Sequence, residues 1–101
     1  MTVTVTDTTT TLTANTPVQI APVSSGCNLF IIANNGTGSL VWKCGSAPAS
    51  ASDGTPLDPA SAAGGQGGSV VLTGDDAIGD AIYAWSTAGT TVNVKQGAKR
   101  P

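Results

Sequence analysis

Histidine and glutamate are both absent from this 101-residue chain. Without histidine, the side chain that most often serves as general base and metal ligand is missing. A Ser, Thr or Cys nucleophile would have no imidazole to activate it. All six acids are Asp, and several sit in turn-like settings: Asp53-Gly54, Asp58-Pro59 and Gly74-Asp75-Asp76. Glycoside hydrolysis needs two carboxyls facing each other across a cleft, which loop acids on so short a chain do not provide. Asp75, Asp76 and Asp80 lack the spacing of an EF-hand loop and read as solvated turn carboxylates. The expectation is a protein that is not an enzyme and carries no cofactor or metal.

Charge is also scarce. Charged residues make up 10% of the chain and the net charge is −2, so nothing steers it toward nucleic acid or an anionic membrane. No apolar run is long enough to span a bilayer. The first residues, Met then alternating Thr and Val, have neither a basic region nor an apolar one, so no signal peptide is read and synthesis in a cytoplasm is expected. Aromatic residues number four: Phe30, Trp42, Tyr83 and Trp85.

What is present is a chain that is 40% hydrophobic, long enough for one domain with a modest core. Its centre is the stretch from Cys27 to Cys44. Two runs of apolar, β-branched or aromatic residues flank Asn35-Gly36, the strongest short-range hairpin signal. A type I′ turn there sets Asn34 opposite Thr37, Ile32 opposite Ser39, Phe30 opposite Val41 and Cys27 opposite Cys44. The last pair falls at a non-hydrogen-bonded position, where Cα atoms are roughly 4.5 Å apart and a disulfide can span them. The register therefore predicts a Cys27–Cys44 disulfide or adjacent thiols; the alternative is two separately buried cysteines. It also places Cys27, Leu29, Ile31, Leu40, Trp42 and Cys44 on a core face. Phe30, Ile32 and Val41 then lie together on the other face, a patch that another part of the chain or a second subunit must cover.

Residues 2–13 alternate Thr with Val and then become Thr-rich, so they read as a strand or arm that pairs with a sheet edge. Thr2, Val3, Thr4, Val5 and Thr6 join Phe30, Ile32 and Val41 as candidate interface residues. Val18-Gln19-Ile20 is a short strand after the Asn15-Thr16-Pro17 turn. From Gly45 to Gly68 the chain is rich in Ala, Ser, Gly and Pro. It reads as a long surface loop with Thr55-Pro56-Leu57 extended and Leu57 pinned into the core. The glycines from Gly64 to Gly68 lack the spacing and the Lys-Ser/Thr of a phosphate-binding loop. Strands follow at Ser69–Thr73, Ala81–Ser86 and Thr91–Lys95. In the second, Ile82, Ala84 and Ser86 share one face and Tyr83 and Trp85 the other, as core, subunit contact or a platform for stacking sugar rings. Residues 96–101 form a basic tail.

About seven short strands with no convincing helical period predict an all-β fold, a single small antiparallel sandwich or barrel. The expected organisation is an N-terminal strand or arm over 1–13, a sandwich domain over 14–95 and the tail.

The order of motifs resembles small β-sandwich proteins encoded in the structural gene blocks of tailed bacteriophages. The resemblance runs from about residue 12 to 95. It rests on the Asn34-Asn35-Gly36 segment, then Gly54-Thr55-Pro56-Leu57, the strand to Leu72, Ala81-Ile82-Tyr83-Ala84, Gly89-Thr90, and the final Val92 and Val94. The cysteines and the Thr-rich start lie outside that pattern. What it implies is a virion structural protein of the capsid decoration or cement type. Such a protein is assembled in the host cytoplasm, binds the major capsid protein on the outer head shell, and bridges capsomers, as a homo-oligomer such as a trimer or dimer. The other reading is a phage tail, fibre or cell-surface module that binds host glycans through Tyr83 and Trp85.

Overall fold

Thr, Val and Ile at alternating positions favour the pleated chain, because β-branched side chains pack well on a sheet and lose rotamer freedom in a helix. The structure, a computed structural model, describes residues 2–21, 29–62, 64–73 and 81–100. Among the described residues eight strands form: β1 (Thr2–Leu12), β2 (Val18–Ala21), β3 (Leu29–Asn34), β4 (Leu40–Cys44), β5 (Thr55–Leu57), β6 (Ser69–Thr73), β7 (Ile82–Trp85) and β8 (Thr90–Arg100). They make two four-stranded antiparallel sheets, β1-β8-β3-β6 and β2-β7-β4-β5.

The expected all-β sandwich is therefore present, and its topology is more specific than the expectation. β1 pairs with β8, β2 with β7, β3 with β6 and β4 with β5. The chain is one long antiparallel ribbon of four strand pairs. It wraps so that β8 also meets β3 and β7 also meets β4. That wrapping is the eight-stranded jelly roll.

The expected β3–β4 hairpin does not exist. The two strands lie in different sheets, and residues 35–39 cross between them. Asn35 and Gly36 are not among the residues with positive φ, so no type I′ turn forms. The glycines of this crossing serve close approach instead. A Cβ on Gly36 would overlap Thr90 Oγ1 and the Thr91 amide, and one on Gly38 would overlap the Gly89 carbonyl.

Separating β3 from β4 also reverses the faces of β3. Phe30, Ile32 and Asn34 point inward and are fully buried, while Leu29, Ile31 and Ala33 are half-exposed. In β4 the expected inward residues Leu40 and Trp42 are indeed core. The core joins Leu12 of β1, Ile20 and Ala21 of β2, Phe30, Ile32, Leu40, Trp42, Leu57, Ile82, Ala84, Val92 and Val94. Burying each larger aliphatic or aromatic side chain among these contributes about 1.5–3 kcal/mol. A register shift between Gln19 and Ala21 lets two successive residues, Ile20 and Ala21, both face the core. Leu57 is buried as expected, and its segment is a true edge strand on β4.

Both terminal segments are strands. Residues 2–12, read as a strand or arm, form an edge strand paired along its whole length with β8. Residues 96–100, expected as a tail, are the far half of β8.

Candidate functional site

The patch expected from Phe30, Ile32 and Val41 is not a surface. Phe30 and Ile32 have no exposed area and sit inside the chain's own sandwich. Val41 points to the outer side of the second sheet but is 5% exposed, beneath Ala51, Pro56 and Trp85. The reason is the sheet change between β3 and β4, which turns the supposed outer face of β3 into core.

The other candidate interface residues, Thr2 to Thr6, lie along β1. β1 lies at the edge of its sheet, and its ladder partner is β8. Thr6, Asp7, Thr8 and Thr9 are exposed. An edge strand offers a row of backbone N–H and C=O groups to any chain that can pair with it, and proteins commonly blunt such edges with Lys, Pro or a bulge. Over its 11 residues β1 has no Lys and no Pro, and its register with β8 runs without a shift. Its one charge is turned into the sheet surface. The Asp7 carboxylate accepts from Asn93 Nδ2 at 2.6 Å and from Lys95 Nζ at 3.0 Å. These contacts, Asn93 first and Lys95 next, hold its pKa below the ordinary 3.8.

Cys27 lies outside the described residues, as do Asp75, Asp76 and Asp80. The ladder that would set Cys27 opposite Cys44 is absent. Cys44 is exposed at the end of β4, opposite Ile82 of β7, and no disulfide joins the described residues.

Sequence reasoning missed the polar centre of the fold, Asn34. Its Nδ2 donates to the carbonyls of Gly38 at 2.8 Å and Leu57 at 3.4 Å. Its Oδ1 accepts from the Gly36 amide at 3.1 Å and from Thr90 Oγ1 at 2.8 Å. All four hydrogen-bonding positions of the amide are filled, as a buried polar group requires. The neighbouring backbone extends the knot. The Gly67 amide donates to the Asn34 carbonyl, Gly64 to the Asn35 carbonyl and Ala60 to the Gly36 carbonyl. This cluster stitches the long β5–β6 loop to β3. It is structural, and its Asn-Asn-Gly signature is the one that reads as a turn.

The outer face of the second sheet is ordered in two rows. Register places Gln19, Tyr83 and Lys43 side by side across β2, β7 and β4. The next row outward along the strands is Trp85, Val41 and Pro56 across β7, β4 and β5. Tyr83 and Trp85 share this outer face, as their alternation predicts, and both are half-buried. Lys43 Nζ lies 3.0 Å from Asp53 Oδ1, and Asp53 Oδ2 accepts from the Ala49 amide at 2.9 Å. The amide and then the ammonium hold the Asp53 pKa below 3.8, so this face keeps a fixed carboxylate. A shallow recess of about 80 Å³ opens beside the apolar row, lined by Ser39, Val41, Ala51, Pro56, Trp85 and Thr87.

Comparison with protein-family models, with curated proteins and with solved structures finds no match to this chain.

Proposed function

We propose that the chain is a virion structural protein of the capsid decoration or cement type, which docks through the outer edge of β1. The observation that carries this reading is the undefended 11-residue edge itself. A strand that is regular, Thr-rich and without Lys, Pro or a register shift is suited to β-pairing with the major capsid protein or with a neighbouring copy in a dimer or trimer. The architecture is compatible with that role, since jelly rolls serve among other things as viral shell domains, though a fold alone never fixes a function. The motif resemblance to phage structural proteins points the same way.

The test mixes the purified protein with undecorated phage heads and images them by cryo-electron microscopy. Ordered density at symmetry-related positions on the outer shell is the expected result, with β1 at the contact. Bare shells would overturn the proposal. Deleting all of residues 2–13 is a poor control, because it removes Leu12 from the core. Removing residues 2–6 instead takes away the part of β1 that pairs with residues 96–100. That truncation should abolish shell occupancy while the core stays folded.

A further inference from the structure

We propose that the outer face of the second sheet around Trp85 is a binding site for a pyranose ring of a glycan. A pyranose is amphiphilic in a particular way: one face presents C–H bonds and its rim presents hydroxyls. The C–H face packs on the electron-rich face of an aromatic ring. The rim needs hydrogen-bonding groups a fixed short distance to the side.

The two rows of this face supply both. Trp85 and Pro56 flank the recess on either side of Val41, which is 5% exposed and forms its floor, and cross-strand pairing of Val41 with both neighbours sets their spacing. Tyr83 and Lys43 lie two residues away along the same strands, with Gln19 of β2 beside Tyr83. Two residues of strand span about 6.8 Å, close to the width of one sugar ring. The Lys43–Asp53 pair is about one-third exposed on both partners, with side-chain exposures of 39% and 35%. One of three ammonium donors is engaged with Asp53 there, and the pair offers donors and acceptors together. Ser39 and Thr87, both exposed, add hydroxyls at the rim of the recess.

The size of the recess argues for one ring face and against a buried ligand. Small-molecule pockets enclose roughly 300–1,000 Å³, several times the 80 Å³ found here. A shallow recess beside a half-buried tryptophan with a polar row next to it suits a single sugar ring at the end of a chain. A purely apolar protein partner would leave the pinned Lys43–Asp53 pair facing it unsolvated, which is costly.

The experiment uses the full chain and the methyl glycosides of glucose, galactose, mannose and N-acetylglucosamine at millimolar concentration. Saturation-transfer difference NMR reads contact with ring protons, and tryptophan fluorescence reads Trp85, since Trp42 is buried in the core. The expected result is transfer to the C–H protons of one ring face for at least one sugar, with a fluorescence change. Trp85→Ala should weaken that binding about tenfold or more, and Trp85→Phe should retain most of it. Near-UV circular dichroism checks that both variants are folded, and the Phe variant keeps the test valid if the Ala variant is not. Absence of transfer with all four sugars overturns the proposal, as does binding that Trp85→Ala leaves unchanged. A dimer seen by light scattering and dissolved by Trp85→Ala would also overturn it, assigning the face to a second copy.

Discussion

Thr90 Oγ1 donates to Asn34 Oδ1 at 2.8 Å, tying the last residue of β3 to the first of β8 across 56 positions of chain. The bond is buried, and the same Oδ1 also holds the Gly36 amide. The start of the sheet-to-sheet crossing is thereby fixed to the turn that precedes β8.

Replacing Asn34 with Ala should lower stability by about 2–4 kcal/mol, because two carbonyls, an amide and a hydroxyl lose their partner away from water. Thr90→Val should cost only about 1 kcal/mol, since Asn34 Oδ1 keeps the Gly36 amide. Urea unfolding of the two variants measures the difference. Equal small losses would show that the knot is not cooperative.

Glycines here fall into two kinds that alanine separates. At Gly36 and Gly38 the added methyl meets Thr90, Thr91 and Gly89 with no space to move, so each Ala variant should lose about 2 kcal/mol or more. At Gly64 nothing lies within 4 Å, but φ is +81°, so Ala should cost about 1–2 kcal/mol through backbone strain alone. Thermal melts give the ranking. Gly36→Ala tolerated without loss would contradict the close approach of the crossing to β8.

Phe30 and Ile31 are neighbours with opposite fates. Phe30→Ala should cost about 3–5 kcal/mol, as a fully buried ring must. Val71→Thr, at 59% exposure on the outer face of the same sheet, should stay within about 0.5 kcal/mol. If Phe30→Ala melted like the parent protein, the assigned faces of β3 would be wrong.

Acid should weaken the fold slightly through two surface carboxylates. Asp7 and Asp53 both have folded-state pKa values below 3.8. A depressed carboxylate contributes stability that is fully present above its ordinary value and is lost as pH falls through its folded value. Both groups are at the surface, so the effect is modest and salt reduces it. The urea midpoints of Asp7→Asn and the parent should differ near neutral pH and converge as pH drops below 3.8. A gap that persists in acid would assign the loss to packing instead.

How much of this was legible depended on whether a strand's two faces differ in polarity. In β8, Val92 and Val94 alternate with Asn93 and Lys95, and the inward face was plain. In β7, alternation set Ile82 and Ala84 apart from Tyr83 and Trp85 but left open which pair faces inward; it is Ile82 and Ala84. β3 carries Leu29 and Ile31 on one side and Phe30 and Ile32 on the other, so alternation could not choose between them. The choice then hung on the Asn35-Gly36 signal, which is a local rule. In this fold β3 pairs with β6 and β8, far along the chain, and the local rule lost to topology. Asn34 reads as part of a turn because a buried asparagine and a turn asparagine look alike in sequence.

The pairing of β1 with β8 also orders events in time. A ribosome releases β1 long before β8 exists, and closing so distant a contact is slow. During that interval the Thr-rich segment has no ladder partner within its own chain. At high local concentration, as when many copies are made together, a second nascent chain competes with β8 for it. The edge contested there is the one that β8 later covers, on the opposite side of β1 from the edge offered to a finished partner.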